Sequence, residues 1–387
     1  MNCLCYSLTP VYYFEKISLE NKRSSRGTAQ EEYNFMSFLS KEYHHSHDFA
    51  FFLHDILVKY IKIGEKQSWF TSQFKFLSPQ HGNDMNELEV EECWEWLEEN
   101  GYSEVLNDVK YRMVIIGALS DFCHFIYEGL SCSKKGKLAV AFSLFRKPLK
   151  DNLFIFEWLL ADPKDFLVKF QQESENFAPD RINPEKKIEI IQKALKKLSM
   201  PETFDDQLIY DIRYNKHAEY GFEGLWNGAT HLVTTFKTYK TDNDNFNFLF
   251  SQDDDRLAQW DTIYLLIPYV LFYATEIIEE LITSLVKIPK EILEINKIRR
   301  QIRFLIWTQS CGNDVNEFLN SIKDELKFTC SHCRSSITMK KRNLNRFAFK
   351  NYIVCPKCKF PLSFNRELSL NKHKPKVYSL VCRLHVK

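Results

Sequence analysis

Glycine is scarce in this chain, 11 of 387 residues, while phenylalanine is abundant at 32. Few glycines leave few of the left-handed turn positions that a many-stranded β fold uses, and so many phenylalanines require a large core. Together they favour helices. A hydrophobic share of 44% with 27% charged residues fits a globular chain rather than a disordered one. Long apolar runs are missing as well. The strongest, TIYLLIPYVLFYAT (Thr262–Thr275), is followed directly by Glu276, Glu279 and Glu280; it is short of the roughly 20 residues a span requires. It reads as a buried helix, and no membrane partner is expected. The opening MNCLCYSLTPVYYFEK has no basic start, no continuous apolar run and no small-residue cleavage site. Cys3, Cys5, Cys93, Cys123, Cys132, Cys311 and Cys382 show no disulfide framework, so the reducing cytoplasm is the expected location. There is no Gly-rich phosphate loop, G-x-S-x-G elbow or H-E-x-x-H helix, which removes the commonest nucleotide, acyl-transfer and metalloprotease chemistries.

The most informative absence is of acid near the C-terminus. Residues 327–387 hold 15 Lys and Arg but only one acid, Glu367, a formal +14. The remainder carries −13, and the near-neutral total of +1 conceals the asymmetry. Four metal-bound thiolates and a dication would lower the segment to about +12. Such a tail suits a polyanionic partner.

Along the chain, residues 1–35 read as a flexible arm, 36–309 as an all-helical domain, 310–326 as a connecting helix and 327–387 as a basic zinc-ribbon module. The fold class is therefore mainly α, a multi-helix bundle followed by a small β-rich ribbon. In DFAFFLHDILVKYIKIG, Phe49, Phe52, Leu53, Ile56, Leu57, Tyr60 and Ile61 fall on one helical stripe that ends at Gly64. Ser103 opens a long apolar-faced helix after a stop at Gly101. Pro148 is expected to kink the helix through KLAVAFSLFRKPLKDNLFIFEWLL. Asp162-Pro163 and Asn183-Pro184 pair an N-cap with proline at the first helical position. Ser251 with Asp254 resembles a capping arrangement, and Pro289 starts one more helix. No strand pattern competes over 36–309.

CSHCRSSITMKKRNLNRFAFKNYIVCPKC places Cys330 and Cys333 against Cys355 and Cys358, two Cys-x-x-Cys turns 21 residues apart. Thiolates at i and i+3 of a tight turn point the same way, and two such turns make the four-sulfur cage of a structural Zn2+ site with no position left for a catalytic water. One such ion is expected. Ile337 and Met339, a basic turn, then Phe347, Phe349, Tyr352 and Val354 are expected to form a hairpin between the turns, with FPLSFNREL as a third strand. The segment resembles the zinc-ribbon family, whose members are commonly nucleic-acid or protein adaptors. Lys340, Lys341, Arg342, Arg346 and Lys350, interleaved with Phe347 and Phe349, are the candidate nucleic-acid contacts: cations for phosphates, aromatics for bases. Phe347 and Phe349 fit the ribbon's core equally well, and the tail fits an acidic face on the chain's own body or a partner.

AFSLFRKPLKDNLFIFEWLLADPKDFLVKF, with YGFEGLWNGATHLVTTF some 50 residues on, resembles bacterial all-helical proteins, some linked to abortive infection by phage and related to HEPN-type bundles. The resemblance spans about 140–240. It implies that Arg146 and Glu157 on one long helix face a later helix ending in Asn227 and His231, and it brings in a divergent, metal-independent ribonuclease as an alternative function. HEPN ribonucleases space Arg and His by four to six residues; RYNKH here has three between Arg213 and His217, a departure from that pattern that would set them one helical turn apart on one face. Arg213 for phosphate charge and His217 for proton transfer, with Arg146 and His231 as the other pair, are the candidate catalytic residues. A non-catalytic adaptor with a protein partner or a homodimer is the third reading. His44, His45, His47, Asp48 and His54 read as a polar helix entry rather than a metal site, and Asp253–Asp255 as a helix first turn.

Overall fold

The computed structural model describes residues 39–89, 92–172, 179–218, 220–244, 246–247, 253–310, 327–350 and 352–363. The expected arm, the connecting helix from 311 onward and residues 364–387 lie outside the described residues, as does Ser251. The fold is mainly α, with small strand pairs near the C-terminus.

Three long helices form the centre: α1 (His44–Lys66), α4 (Ser103–Lys134) and α11 (Asp253–Leu285). Between α1 and α4 come α2 (Pro79–Glu87) and α3 (Glu92–Glu99), which with Tyr102 and Leu106 make a small separate cluster around Leu97. The stripe on α1 behaves as its spacing demands: Phe49, Leu53, Leu57, Tyr60 and Ile61 are buried, Phe52 and Ile56 half-buried. Gly64 does not end this helix. Its missing Cβ lets the Phe70 ring approach to 2.3 Å from where a Cβ would stand, so any side chain there displaces the returning loop. Thr262–Thr275 lies inside α11, where Ile263, Ile267, Val270, Leu271 and Ala274 are completely enclosed. By length and composition one described helix, α4, is apolar enough to cross a membrane. It packs against α1 and α5 (Leu138–Arg146), with Ile115, Leu119, Phe122 and Ile126 in the shared core.

Pro148 does more than kink its helix. It has no N–H for the preceding turn and its ring crowds that turn's carbonyl, and the chain widens into a π-helical turn, Lys147–Asn152, between α5 and α6 (Leu153–Ala161). The π turn fastens α9 (Asp206–Tyr214): Arg213 Nε donates to the Leu149 carbonyl at 2.6 Å, and the Tyr214 hydroxyl donates to that of Lys150 at 2.7 Å. Around it run α7 (Pro163–Gln172), α8 (Pro184–Leu195) and α10 (Phe222–Thr230). The expected caps on α7 and α8 are present, with Asp162 Oδ1 accepting from Asp165 N–H at 3.0 Å and Asn183 Oδ1 from Lys186 N–H at 2.8 Å.

The last helix of the body, α12 (Lys290–Ser310), is held to α11 by a buried ion cluster. Arg300 donates to Glu276 and, through two nitrogens, to both oxygens of Glu279, each at 2.7 Å. The Tyr60 hydroxyl of α1 donates to the same Glu279 carboxylate. Burial works against the Glu279 charge, but Arg300 holds its carboxyl below the usual range.

His47 lies beneath α11 with Nδ1 2.9 Å from the Tyr264 hydroxyl, which also meets Ser133 Oγ at 3.0 Å. Burial, with Lys134 and His44 adding to it, pushes the imidazole from 6.5 down to about 3. The unfolded chain therefore takes up this proton first as pH falls. The stabilisation is complete above the unfolded value and is lost between 6.5 and 3, at a slope of up to about 1.4 kcal/mol per pH unit. Urea midpoints at about pH 7 and about pH 5 should show this fall in the parent and a flatter one in His47→Asn; equal slopes would remove His47 as the cause.

Candidate metal centre and basic groove

Residues 327–363 build two copies of one local device. Strands β1 (Lys327–Thr329) and β2 (Ser336–Thr338) pair antiparallel, Phe328 opposite Ile337. Strands β3 (Tyr352–Val354) and β4 (Pro361–Ser363) do the same, Ile353 opposite Leu362. Each Cys-x-x-Cys turn closes its own hairpin. Arg334 N–H donates to the Cys330 carbonyl at 2.9 Å and Lys359 N–H to that of Cys355 at 3.0 Å. Arg334 and Lys359, each just after its second cysteine, are left-handed at φ 58° and 61°, which turns the chain back around the sulfurs.

The two turns bring all four Sγ atoms within 4.8 Å of one another. Cys330 and Cys358 sulfurs are 3.6 Å apart, those of Cys333 and Cys355 3.7 Å. A tetrahedron with metal–sulfur bonds of about 2.3 Å has edges of about 3.8 Å, which these two separations match. Against burial, the N–H groups of Cys358 and Lys357 and the Ser335 hydroxyl draw Cys355 down to about 6. Despite the Phe360 N–H, burial and the other three sulfurs push Cys358 up to about 12. Thiols this close cannot all ionise unaided; a dication removes the conflict. Among the described residues this is the one such cluster. The helix-entry histidines go elsewhere, His44 to the Leu39 carbonyl, His47 to Tyr264 and His54 to Asp55. His373, Cys382 and His385 are outside the described residues.

The hairpin expected across the basic stretch is not formed. Lys341–Lys350 is a helix, α13, and β4 pairs with β3 instead of adding a third strand to one ribbon. Leu344, Phe347 and Ala348 recur at i, i+3 and i+4 and are buried; that period is helical, and the alternation of Phe347 with Phe349 misleads. Phe347 is in the core at 1% exposure, while Phe349 is 43% exposed. Asn343 ties the helix to β3, accepting from Val354 N–H at 3.1 Å and donating to the Val354 carbonyl at 2.9 Å.

The helix presents its cations to solvent. Arg342 and Lys350 are exposed and Arg346 half-buried. With Asn345, Phe349 and Tyr352 they line an open groove of about 390 Å³. Lys340 is exposed just before α13, its carbonyl accepting from the N–H groups of Asn343 and Leu344, and Lys341 opens the helix. Asn345 and Tyr352 were not marked by the linear pattern, because only a helix at 341–350 sets them beside Arg342 and Arg346.

The module is seated on α12. Ile295, Ile298, Ile302, Leu305 and Ile306 share one core with Phe328, Ile337, Leu344, Phe347 and Ile353. Arg299 and Arg303 flank this stripe and meet the C-terminal end of α13. Arg299 Nε donates to the Phe347 carbonyl at 3.2 Å and Arg303 Nε to that of Ala348 at 2.8 Å. These carbonyls have no partner within the helix, and cations are favourable at that end. The Arg303 guanidinium lies 3.7 Å from the centre of the Phe52 ring of α1 and 4.8 Å from that of Phe349. Burial pulls both guanidinium groups down to about 10, so both stay charged at neutral pH.

The other candidate residues are not brought together. Helix α9 ends at Tyr214, so Arg213 and His217 do not share a helix face. Arg213 points inward, completely enclosed, with its nitrogens committed to the Leu149 carbonyl, Glu157 and the Tyr214 hydroxyl. His217 is exposed beyond the helix, its ring 5.3 Å from that of Phe236. Glu157 therefore faces Arg213 of α9, and Arg146 and Glu157 lie on two helices, α5 and α6, separated by the π turn. Arg146 ends α5 half-buried, and His231 is exposed just past α10. Comparison with protein-family models, curated proteins and solved structures finds no match for the chain.

Two outcomes follow from this geometry. Cys355→Ser should lower bound metal from about one ion per chain to near zero and remove hydrogen-exchange protection over 327–363 while the helical far-UV signal persists; retained metal would contradict the four-sulfur site. Arg213→Met leaves Glu157 enclosed without a cation and should cost about 3–5 kcal/mol in urea unfolding. His217→Ala should stay within about 0.5 kcal/mol. Comparable effects from the two would contradict the buried pairing.

Proposed function

We propose that this is a zinc-binding, mainly helical protein whose basic C-terminal module contacts nucleic acid. The observation that carries the reading is the face of α13: Arg342, Arg346 and Lys350 beside Phe349 and Tyr352 in one groove, within a segment of formal charge +14. Phosphates supply the matching charge, and releasing their counterions supplies affinity. Zinc is the ion of choice because four thiolates in a closed tetrahedron are its usual structural environment. In the reducing cytoplasm these thiols stay available for metal.

The ribonuclease alternative gains nothing from the geometry, since the guanidinium assigned to phosphate is engaged in the interior. A role in phage defence rests on the sequence resemblance alone. The adaptor reading has one observation in its favour: a module of this kind does dock on a helix here, through apolar side chains. That face is already occupied, and among the described residues the exposed side of α13 is cationic.

Binding of labelled nucleic acid, followed by anisotropy across a salt series, tests the proposal. Three cations engaging phosphates should give a slope of log affinity against log salt of about −2 to −3. The double variant Arg342→Glu, Arg346→Glu should weaken binding at least tenfold and flatten the slope, with metal content unchanged. Salt-independent binding, or a variant that binds like the parent, would refute it.

A further inference from the structure

Resting on the nucleic-acid reading, we infer that the α13 groove takes a single strand, with a base stacked on Phe349 and the phosphates on Arg342, Arg346 and Lys350. The aromatic content of the groove points this way. Phe349 is 43% exposed although it sits in a helix otherwise anchored by apolar residues. One face of its ring is taken by the Arg303 guanidinium at 4.8 Å, which fixes the ring and leaves a base to complete the stack. Tyr352 lies in the same groove with the Arg346 guanidinium 5.7 Å from its ring centre. The groove is open along one side and has room for one unstacked base against the Phe349 ring.

The setting of α13 disfavours a duplex. A helix that reads the major groove has to enter it with its flanks clear. Here Leu344, Phe347 and Ala348 are buried, and the carbonyl end is held by Arg299 and Arg303. The helix lies flat on α12 with one face open. Base–aromatic stacking needs a base that has left its pair, and every base offers a ring face, so the contact reads strandedness more than sequence. Asn345, between the cations, is a donor and acceptor for a base edge.

Full-length, metal-loaded protein would be titrated with four labelled probes of about 15 units: oligo(dT), oligo(U), a mixed-sequence DNA duplex and a single strand of abasic deoxyribose phosphates. Either base-bearing single strand should bind about tenfold or more tighter than the duplex and the abasic strand. Phe349→Leu should lose about tenfold on oligo(dT) or oligo(U) and little on the abasic strand, with the salt slope kept. Abasic and base-bearing strands binding alike to the parent protein would overturn the stacking and leave the phosphate contacts standing, a result independent of how any variant folds. A duplex bound as tightly as the single strands would overturn the choice of strand. No salt-sensitive binding of any probe would overturn the nucleic-acid reading itself.

Discussion

The described C-terminal module depends on α12 serving two cores at once. Its Phe304, Trp307 and Arg300 face the body, and its Ile295, Ile298, Ile302, Leu305 and Ile306 face the metal module. The module's strands are three residues each, and a chain segment this small cannot enclose enough apolar surface alone. Two things make up the deficit: the ion that the four sulfurs are placed to hold, and the aliphatic stripe lent by α12. Each fully buried aliphatic side chain contributes about 1.5–3 kcal/mol, so the borrowed stripe is comparable with the whole stability of a small domain. The same seat sets the direction of the basic face, because Arg299 and Arg303 grip the carbonyl end of α13 and turn its cations away from the body.

Inside the bundle, alignment is set by enclosed ion pairs. Arg213 with Glu157, Lys150 with Glu223, and Arg300 with Glu276 and Glu279 are all enclosed. Net stabilisation from such pairs is small once desolvation is counted, but a misaligned helix would leave a bare charge in the core. The π turn at Pro148 belongs to this arrangement, since the carbonyls of Leu149 and Lys150 in that turn receive Arg213 and Tyr214. The fold has met the proline with a specific pair of donors from another helix.

Much of this was legible before any coordinates. The stripes on α1 and α11, the caps at Asp162 and Asn183, the disturbance at Pro148 and the four metal-site cysteines follow from spacing and local chemistry, which act over a few residues. What was not legible depends on contacts distant in sequence. The stretch from Lys341 to Lys350 carries both an alternating and a helical apolar pattern, and the choice is made by Leu344, Phe347 and Ala348 meeting the isoleucines of α12. The 3-4-3 stripe of Ile295, Ile298, Ile302 and Leu305 was not singled out, since its spacing alone does not say what covers it. Arg213 and His217 looked like one helix face only while the helix was assumed to continue past Tyr214. A buried arginine and a surface one are spelled alike, and only the position of Glu157 separates them.

The shared helix also makes ion affinity and tertiary docking two readings of one equilibrium. Binding that favours the folded module favours its seating on α12, and seating favours binding by the same factor. The intact chain would therefore hold an ion there more tightly than the isolated 327–363 segment, by the free energy of docking. The relation runs in the other direction too. A chain deprived of metal presents the five aliphatic side chains of α12 to solvent, a continuous sticky ridge of the kind that drives self-association. An ion held by the four cysteines would thus be a solubility determinant for a helix it does not touch.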